Sequence, residues 1–206
     1  MKKQVSIFHK ASLFAASLCF LVACAGNKRP TQFYLLKSLK VGDLQQQPGI
    51  TGSVIGIGPV SLPKYLDRPQ IVTFTGDFTI SISEFHQWAE PLQNNFIRVL
   101  MENLSALLPN SQFESYPWKS SARVNHHISV SIDHFDLNPE SALLVAHWAI
   151  KTGTDGTQQN HNARIEKPIP DAQHKSKVSA LSKLIALLST EIAESIMNQH
   201  NYGQPR

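Results

Sequence analysis

Seven consecutive residues, Val54-Ile-Gly-Ile-Gly-Pro-Val60, are apolar or glycine at every position but the one proline. A strand with one face in water alternates apolar and polar residues, so a run without alternation must be covered on both sides. That demand excludes an open, one-sided ribbon and predicts a layered domain with this stretch at its centre. Gly56 and Gly58 lie two apart, hence on one face, where the missing side chains permit close approach of a neighbouring element. Phosphate binding is the weaker reading of these glycines. GIGPVS lacks the third glycine of a dinucleotide fingerprint and the Gly-Lys-Ser/Thr of a P-loop, and Pro59 removes a backbone donor.

Proline and glycine punctuate the next thirty residues. Ser61 to Pro69 is a compact loop whose prolines fix the backbone on either side of Tyr65, Leu66, Asp67 and Arg68. Gln70–Phe74 and Phe78–Ser83 flank Thr75-Gly76-Asp77, which signals a hairpin, and extended structure continues through Trp88. Pro91 suits the first position of a helix and would break its interior, so the helix is predicted over Pro91–Leu108. Leu92, Phe96, Val99, Leu100, Asn103, Leu104, Leu107 and Leu108 fall there at helical spacing.

Ser111–Ser121 reads as a polar loop in which Tyr116 and Trp118 either pack back on the domain or serve as contacts. Val124–Phe135 alternates, with Ile128, Val130 and Ile132 on one face and Ser129, Ser131 and Asp133 on the other. Ala142–Thr152 is its expected partner, Gly153–Asn162 a loop, and Ala163–Ile169 a short edge strand limited by prolines. A last helix is predicted from Lys175 to about Gln199, apolar along Val178, Leu181, Leu184, Ile185, Leu188, Ile192 and Ile196. Two helices with one apolar stripe each can cover one face of a mainly antiparallel sheet, an α+β fold.

The N-terminus bears on compartment. Lys2, Lys3 and Lys10 precede an apolar run, Ala11–Val22, too short for a permanent membrane span. The run ends in Leu21-Val22-Ala23-Cys24, which resembles the lipobox of bacterial lipoproteins, with cleavage ahead of a Cys that carries diacylglycerol. The expected organisation is a signal peptide over residues 1–23, a lipidated Cys24 with a tether to residue 32, one periplasmic domain over 33–200 and a polar tail over 201–206. Cys19 leaves with the signal, so no disulfide is expected. Removing the three signal lysines lowers the formal charge from +4 to about +1. A mature chain so near neutral, without a Lys/Arg cluster, gives little support to a nucleic-acid partner. Two or more acyl chains hold a protein stably at a membrane, and Ala25, where an Asp would signal inner-membrane retention in enterobacterial-type sorting, favours the outer membrane.

The chain carries no Gly-x-Ser-x-Gly, His-Glu-x-x-His or Cys-x-x-Cys motif. His126 and His134 are expected on the apolar face of their strand, about 26 Å apart and too far to share an ion. Adjacent His126 and His127 point to opposite faces and make a poor metal pair. Glu84 with His86 reads as a surface hydrogen bond rather than a catalytic base with its partner. No catalytic residue, metal or cofactor is expected. Trp88 and Trp148 are read as core aromatics rather than ligand platforms; Tyr65, Trp88 and Trp118 are read alternatively as interface anchors.

Three segments carry a family resemblance: Val60-Ser-Leu-Pro-Lys-Tyr-Leu-Asp-Arg-Pro-Gln-Ile-Val72, Glu84-Phe-His-Gln-Trp-Ala-Glu-Pro-Leu92 and Arg98-Val-Leu-Met-Glu-Asn-Leu104. With the lipobox, the Phe-Tyr-Leu run after it and the closing helix, they resemble the PqiC/YmbA family within the ABC-type transport auxiliary lipoproteins. From Ser111 onward the match is mainly one of pattern. The resemblance implies a non-enzymatic outer-membrane lipoprotein that associates with a periplasm-spanning MCE-domain protein of the PqiB type and helps move lipid or maintain envelope integrity. It also makes a homo-oligomeric ring plausible. Tyr65, Leu66, Asp67, Arg68 and Trp88 are the docking candidates; against that role, Leu66 plugs the core and Asp67 pairs with Arg68 to close the turn. A second reading has the domain itself bind lipid in a pocket between sheet and helices.

Overall fold

The computed structural model describes residues 29–38, 50–118, 123–153, 156 and 158–203, of which 201–203 by backbone alone. Cys24, the signal segment and most of the tether lie outside the described residues. The chain divides by contact into Met1–Pro30 and Thr31–Arg206, and the second unit is described here.

Among the described residues, eight strands and two helices occur in the order β1 (Gln32–Tyr34), β2 (Val54–Ser61), β3 (Gln70–Gly76), β4 (Thr79–Trp88), α1 (Leu92–Leu107), β5 (Gln112–Ser115), β6 (His126–Leu137), β7 (Ser141–Thr152), β8 (Gln158–Pro168) and α2 (His174–Gly203). The fold is α+β. Its strands form two sheets rather than one: a three-stranded sheet ordered β1-β4-β3 and a five-stranded sheet ordered β5-β2-β6-β7-β8. The long ladders, β6 with β7 and β7 with β8, are antiparallel, as is the β3–β4 hairpin. The short pairings of β1 with β4, and of β2 with β5 and β6, are parallel.

β2 is covered on both faces, with Ile55, Gly56, Ile57 and Gly58 all buried. A Cβ on Gly56 would come within 2.8 Å of Val124 Cγ1 and 2.9 Å of the Trp118 ring, and one on Gly58 within 2.6 Å of Tyr116 Cβ. The glycine face therefore receives the segment after β5. Tyr116 and Trp118 meet edge to face at 5.3 Å, and Trp118 meets His127 of β6 at 4.9 Å. This segment packs back on the domain, as one of its two readings had it. Gln112–Ser115 of the expected polar loop is a strand, because its backbone completes the free edge of β2.

α1 and α2 pack on each other and on the five-stranded sheet. α1 begins directly after Pro91, and Leu108 closes it through its N–H to the Leu104 carbonyl. The buried stripe of α1 includes Asn95 as well as the leucines. Asn95 Oδ1 accepts the Leu36 N–H at 2.7 Å and its Nδ2 donates to the Leu36 carbonyl at 3.4 Å. One residue on, the Lys37 N–H donates to Ser182 Oγ of α2 at 3.2 Å. The chain leaving β1 is thus held by both helices. Phe96 of α1 meets Phe135 of β6 edge to face at 5.3 Å, in a layer filled by buried side chains.

Four further expectations are corrected. His126 is buried on the helix-facing side, but His134 is exposed on the opposite one. A bulge shifts the register from Ile132 opposite Ala146 to His134 opposite Val145, and one extra residue turns every subsequent side chain over. β8 starts at Gln158, so half of the expected loop is strand; its polar residues there are mostly exposed on a sheet edge. Phe78 sits in the hairpin turn, and α2 continues into the expected tail.

Asn95→Leu fills the same stripe with carbon and strands two buried backbone groups. It is expected to lower stability by about 2–6 kcal/mol, at about 1–3 kcal/mol for each unsatisfied group, read from a fall in the urea midpoint at unchanged slope.

A candidate docking cleft

The loop between β2 and β3 is tight because Pro63 ends one extended segment and Lys64–Leu66 forms a single 3-10 turn. Within it the N–H groups of Leu66 and Asp67 donate to the Pro63 and Lys64 carbonyls at 3.0 and 3.1 Å. The Trp88 N–H then donates to the Pro69 carbonyl at 2.6 Å, joining the loop to the end of β4. Between loop and strand end lies a cleft of about 430 Å³. One wall is Leu62–Lys64 and Leu66–Pro69; the other runs from Trp88 to Asn94.

Four of the five docking candidates line this cleft, in two different states. Leu66 and Trp88 are buried and form its apolar base. Asp67 is exposed and Arg68 half-exposed, and among the described residues no ion pair joins them. The turn is closed by its backbone, so the expected local ion pair is not what holds it. Arg68 Nε is buried without a hydrogen-bond partner among the described residues. Across the helix start, Arg98 bridges Glu90 and Glu102 at 2.9 Å each, fixing the Glu90 side of the wall.

Tyr65, the fifth candidate, faces the other way. Its ring meets Phe74 edge to face at 5.9 Å, and its hydroxyl donates to Asp136 Oδ1. The other oxygen of Asp136 takes His134 Nδ1 at 2.8 Å. Burial, reinforced by the hydrogen bond and negative charge of Asp136, pushes the Tyr65 hydroxyl well above the ordinary phenol range. The hydroxyl therefore stays protonated and fastens the loop to β6. Sequence reading missed Asp136; its place beside an exposed histidine after an alternating run carried no local signal, since Tyr65 lies 71 residues away.

Rather than bonding Glu84, as expected, His86 turns to Tyr34 and His174. Its ring stacks on His174, the first residue of α2, at 3.6 Å and 5°, and its Nδ1 bonds the Tyr34 hydroxyl at 2.8 Å. His174 Nε2 bonds Ser83 Oγ at 3.0 Å. Among the described residues no group of three or more His, Cys, Asp or Glu side chains could hold a metal ion. The layer between sheet and helices is filled by core side chains.

Residues 34–193 match the family described as ABC-type transport auxiliary lipoprotein component. The intermembrane transport lipoprotein PqiC of Escherichia coli K12 is 22% identical over 194 residues, 92% of this chain and 97% of that protein. The PqiC of Shigella flexneri aligns equally well. Among solved structures, that of an uncharacterized protein superposes with a TM-score of 0.68 at 21% identity, covering 82% of this chain and 99% of the other. Protein XCC0632 from Xanthomonas campestris gives 0.67 at 10% identity, with 84% and 100% covered. At these identities the two structures share the fold. No helix among the described residues is long and apolar enough to cross a membrane.

The loop and the histidine stack each have a measurable consequence. Tyr65→Phe leaves a buried carboxylate short of a donor and is expected to lower stability by about 1–3 kcal/mol in denaturant titration. His174 is pushed down to about 4 by burial, then by the charges of His86 and Lys177. Between its ordinary 6.5 and that value the unfolded chain binds the extra proton, so stability falls as pH drops through this window. His174→Gln is expected to flatten the fall in melting temperature between about pH 6.5 and 4.

Proposed function

Because the chain belongs to the ABC-type transport auxiliary lipoprotein family, we propose that it is the outer-membrane subunit of an intermembrane lipid transport system, non-catalytic and anchored by acylated Cys24. Its folded domain faces the periplasm, and its partner is a periplasm-spanning MCE-domain protein of the PqiB type. The full-length similarity to PqiC supports the transport role; the Leu21-Val-Ala-Cys24 run supports the anchor. Assembly as a homo-oligomeric ring is compatible with this role and is part of the same proposal.

One observation carries the docking assignment. The two segments most like the family, Val60–Val72 and Glu84–Leu92, converge on the two walls of a single cleft. Leu66 and Trp88 give it an apolar base, and the half-exposed Arg68 lines it beside them. A cleft with an apolar floor and a half-exposed guanidinium in its wall suits a peptide segment bearing an apolar anchor beside a carboxylate or carbonyl acceptor. Asp67 and Lys64 at its lip fix the direction of approach by charge.

Arg68→Glu in the full-length lipoprotein is expected to cut co-purification of the MCE-domain protein at least about tenfold, equal to ~1.4 kcal/mol, with the melting temperature unchanged. Full recovery of the partner by a folded variant counts against the cleft. Failure of the unaltered lipoprotein to retain any MCE-domain protein counts against the transport role itself.

A further inference from the structure

Large apolar side chains exposed on the described surface are concentrated rather than scattered. Of the seven, Phe33, Leu35, Phe78, Ile80 and Ile82 lie on or next to the three-stranded sheet. Phe78 occupies the β3–β4 turn and is 98% exposed; Ile80 and Ile82, 40% and 45% exposed, come next on one face of β4. A phenylalanine held in water at the end of a hairpin is an apolar group presented outward.

The direction of the chain says what it is presented to. β1 runs parallel to β4, with Gln32 beside His86, Phe33 beside Gln87 and Tyr34 beside Trp88. The chain therefore enters β1 from the side on which the β3–β4 turn lies. Eight residues separate Cys24 from Gln32, and eight separate Phe78 from His86. At about 3.3 Å per residue both lengths are roughly 26 Å. A tether rooted in a membrane thus has no more reach than the hairpin has overhang, and the turn lies within range of the same surface.

We infer that the β3–β4 turn is a second membrane contact, with Phe78 entering the headgroup region of the bilayer that holds the lipid anchor. This contact rests on the anchoring by Cys24 proposed above. A second copy of the chain is the less suitable occupant. Three side chains at about 150–250 Å² or less each fall short of the roughly 800 Å² per partner that a specific protein interface buries. A bilayer needs no such area, because the anchor already holds the turn at high local concentration and a shallow apolar contact suffices. Asp77, next to Phe78, keeps the insertion shallow and favours a zwitterionic leaflet over an anionic one. The contact fixes orientation: one acyl anchor leaves a domain free to tumble, and a second contact point does not.

The test uses the full acylated chain reconstituted in phosphatidylethanolamine/phosphatidylcholine vesicles. Phe78→Cys and, as control, the exposed helix position Ser105→Cys each receive an environment-sensitive fluorophore, and nitroxide-bearing lipid is the quencher. Quenching several-fold stronger at position 78 than at 105 is expected, together with an acyl-modified mass. Equal quenching on an acylated, vesicle-bound chain overturns the hairpin contact and leaves the anchor standing. An unmodified mass overturns the anchor, and the hairpin contact with it. A fluorophore at 78 that is shielded from water yet unquenched, on a chain that sediments as an oligomer, assigns the turn to a second copy and also overturns it.

Discussion

Burial of β2 on both faces is the constraint from which the architecture follows. A strand with no polar alternation cannot lie at a surface, so helices must cover one side and other chain the second. α1 supplies the first cover of β2, while α2 lies on β6, β7 and β8 beside it. The second is made possible by Gly56 and Gly58, whose missing side chains leave the space that Tyr116 and Trp118 fill. β5 then closes the free edge of β2, and β6 continues the sheet on the other side. The parallel pairing of β2 with both neighbours has the same origin, since neither is its hairpin partner in sequence.

The docking loop divides between holding its own shape and presenting a surface. Tyr65 is committed to Asp136, and Leu66 to the core. With those two fixed, Asp67 and Arg68 are left at the lip of the cleft without needing each other. Within four residues the side chains that stiffen the turn point inward, and the charged ones carry no structural burden that the described contacts record. It also explains why two sequence blocks that are separated by a whole hairpin read alike as one signature. They form opposite walls of one surface.

Much of this was legible without coordinates, and the failures share a cause. β2, the hairpin, the switch to helix at Pro91 and the stripes of both helices were visible because each is a local pattern of apolar spacing or backbone-restricting residues. Gln112–Ser115 was not, because a four-residue edge strand needs only a partner backbone and leaves no periodic mark. Gln158–Asn162 was read as loop for a similar reason: an edge strand largely turned to solvent has the composition of one. The position of His134 was lost to a single inserted residue, which no count of alternation anticipates. In the cleft, Arg68 and Trp88 were named from sequence but their juxtaposition was not, and Asp136 was invisible because its meaning depends on a tyrosine on a distant loop. The division into two sheets is likewise a property of pairing between segments, not of any one of them.

The parallel lie of β1 on β4 has a mechanical side. A domain held by its N-terminus receives any pull at Gln32, and the force enters along the axis of β1 rather than across it. Loaded lengthwise, the bonds joining β1 to β4 bear tension together; loaded crosswise, they would open one at a time like a zip. Behind them stand the Asn95 clamp on Leu36 and the Ser182 contact with Lys37, which pass the load into both helices. The first strand is only three residues long, yet with the proposed anchor it would serve as a shackle between a leash and the body it restrains.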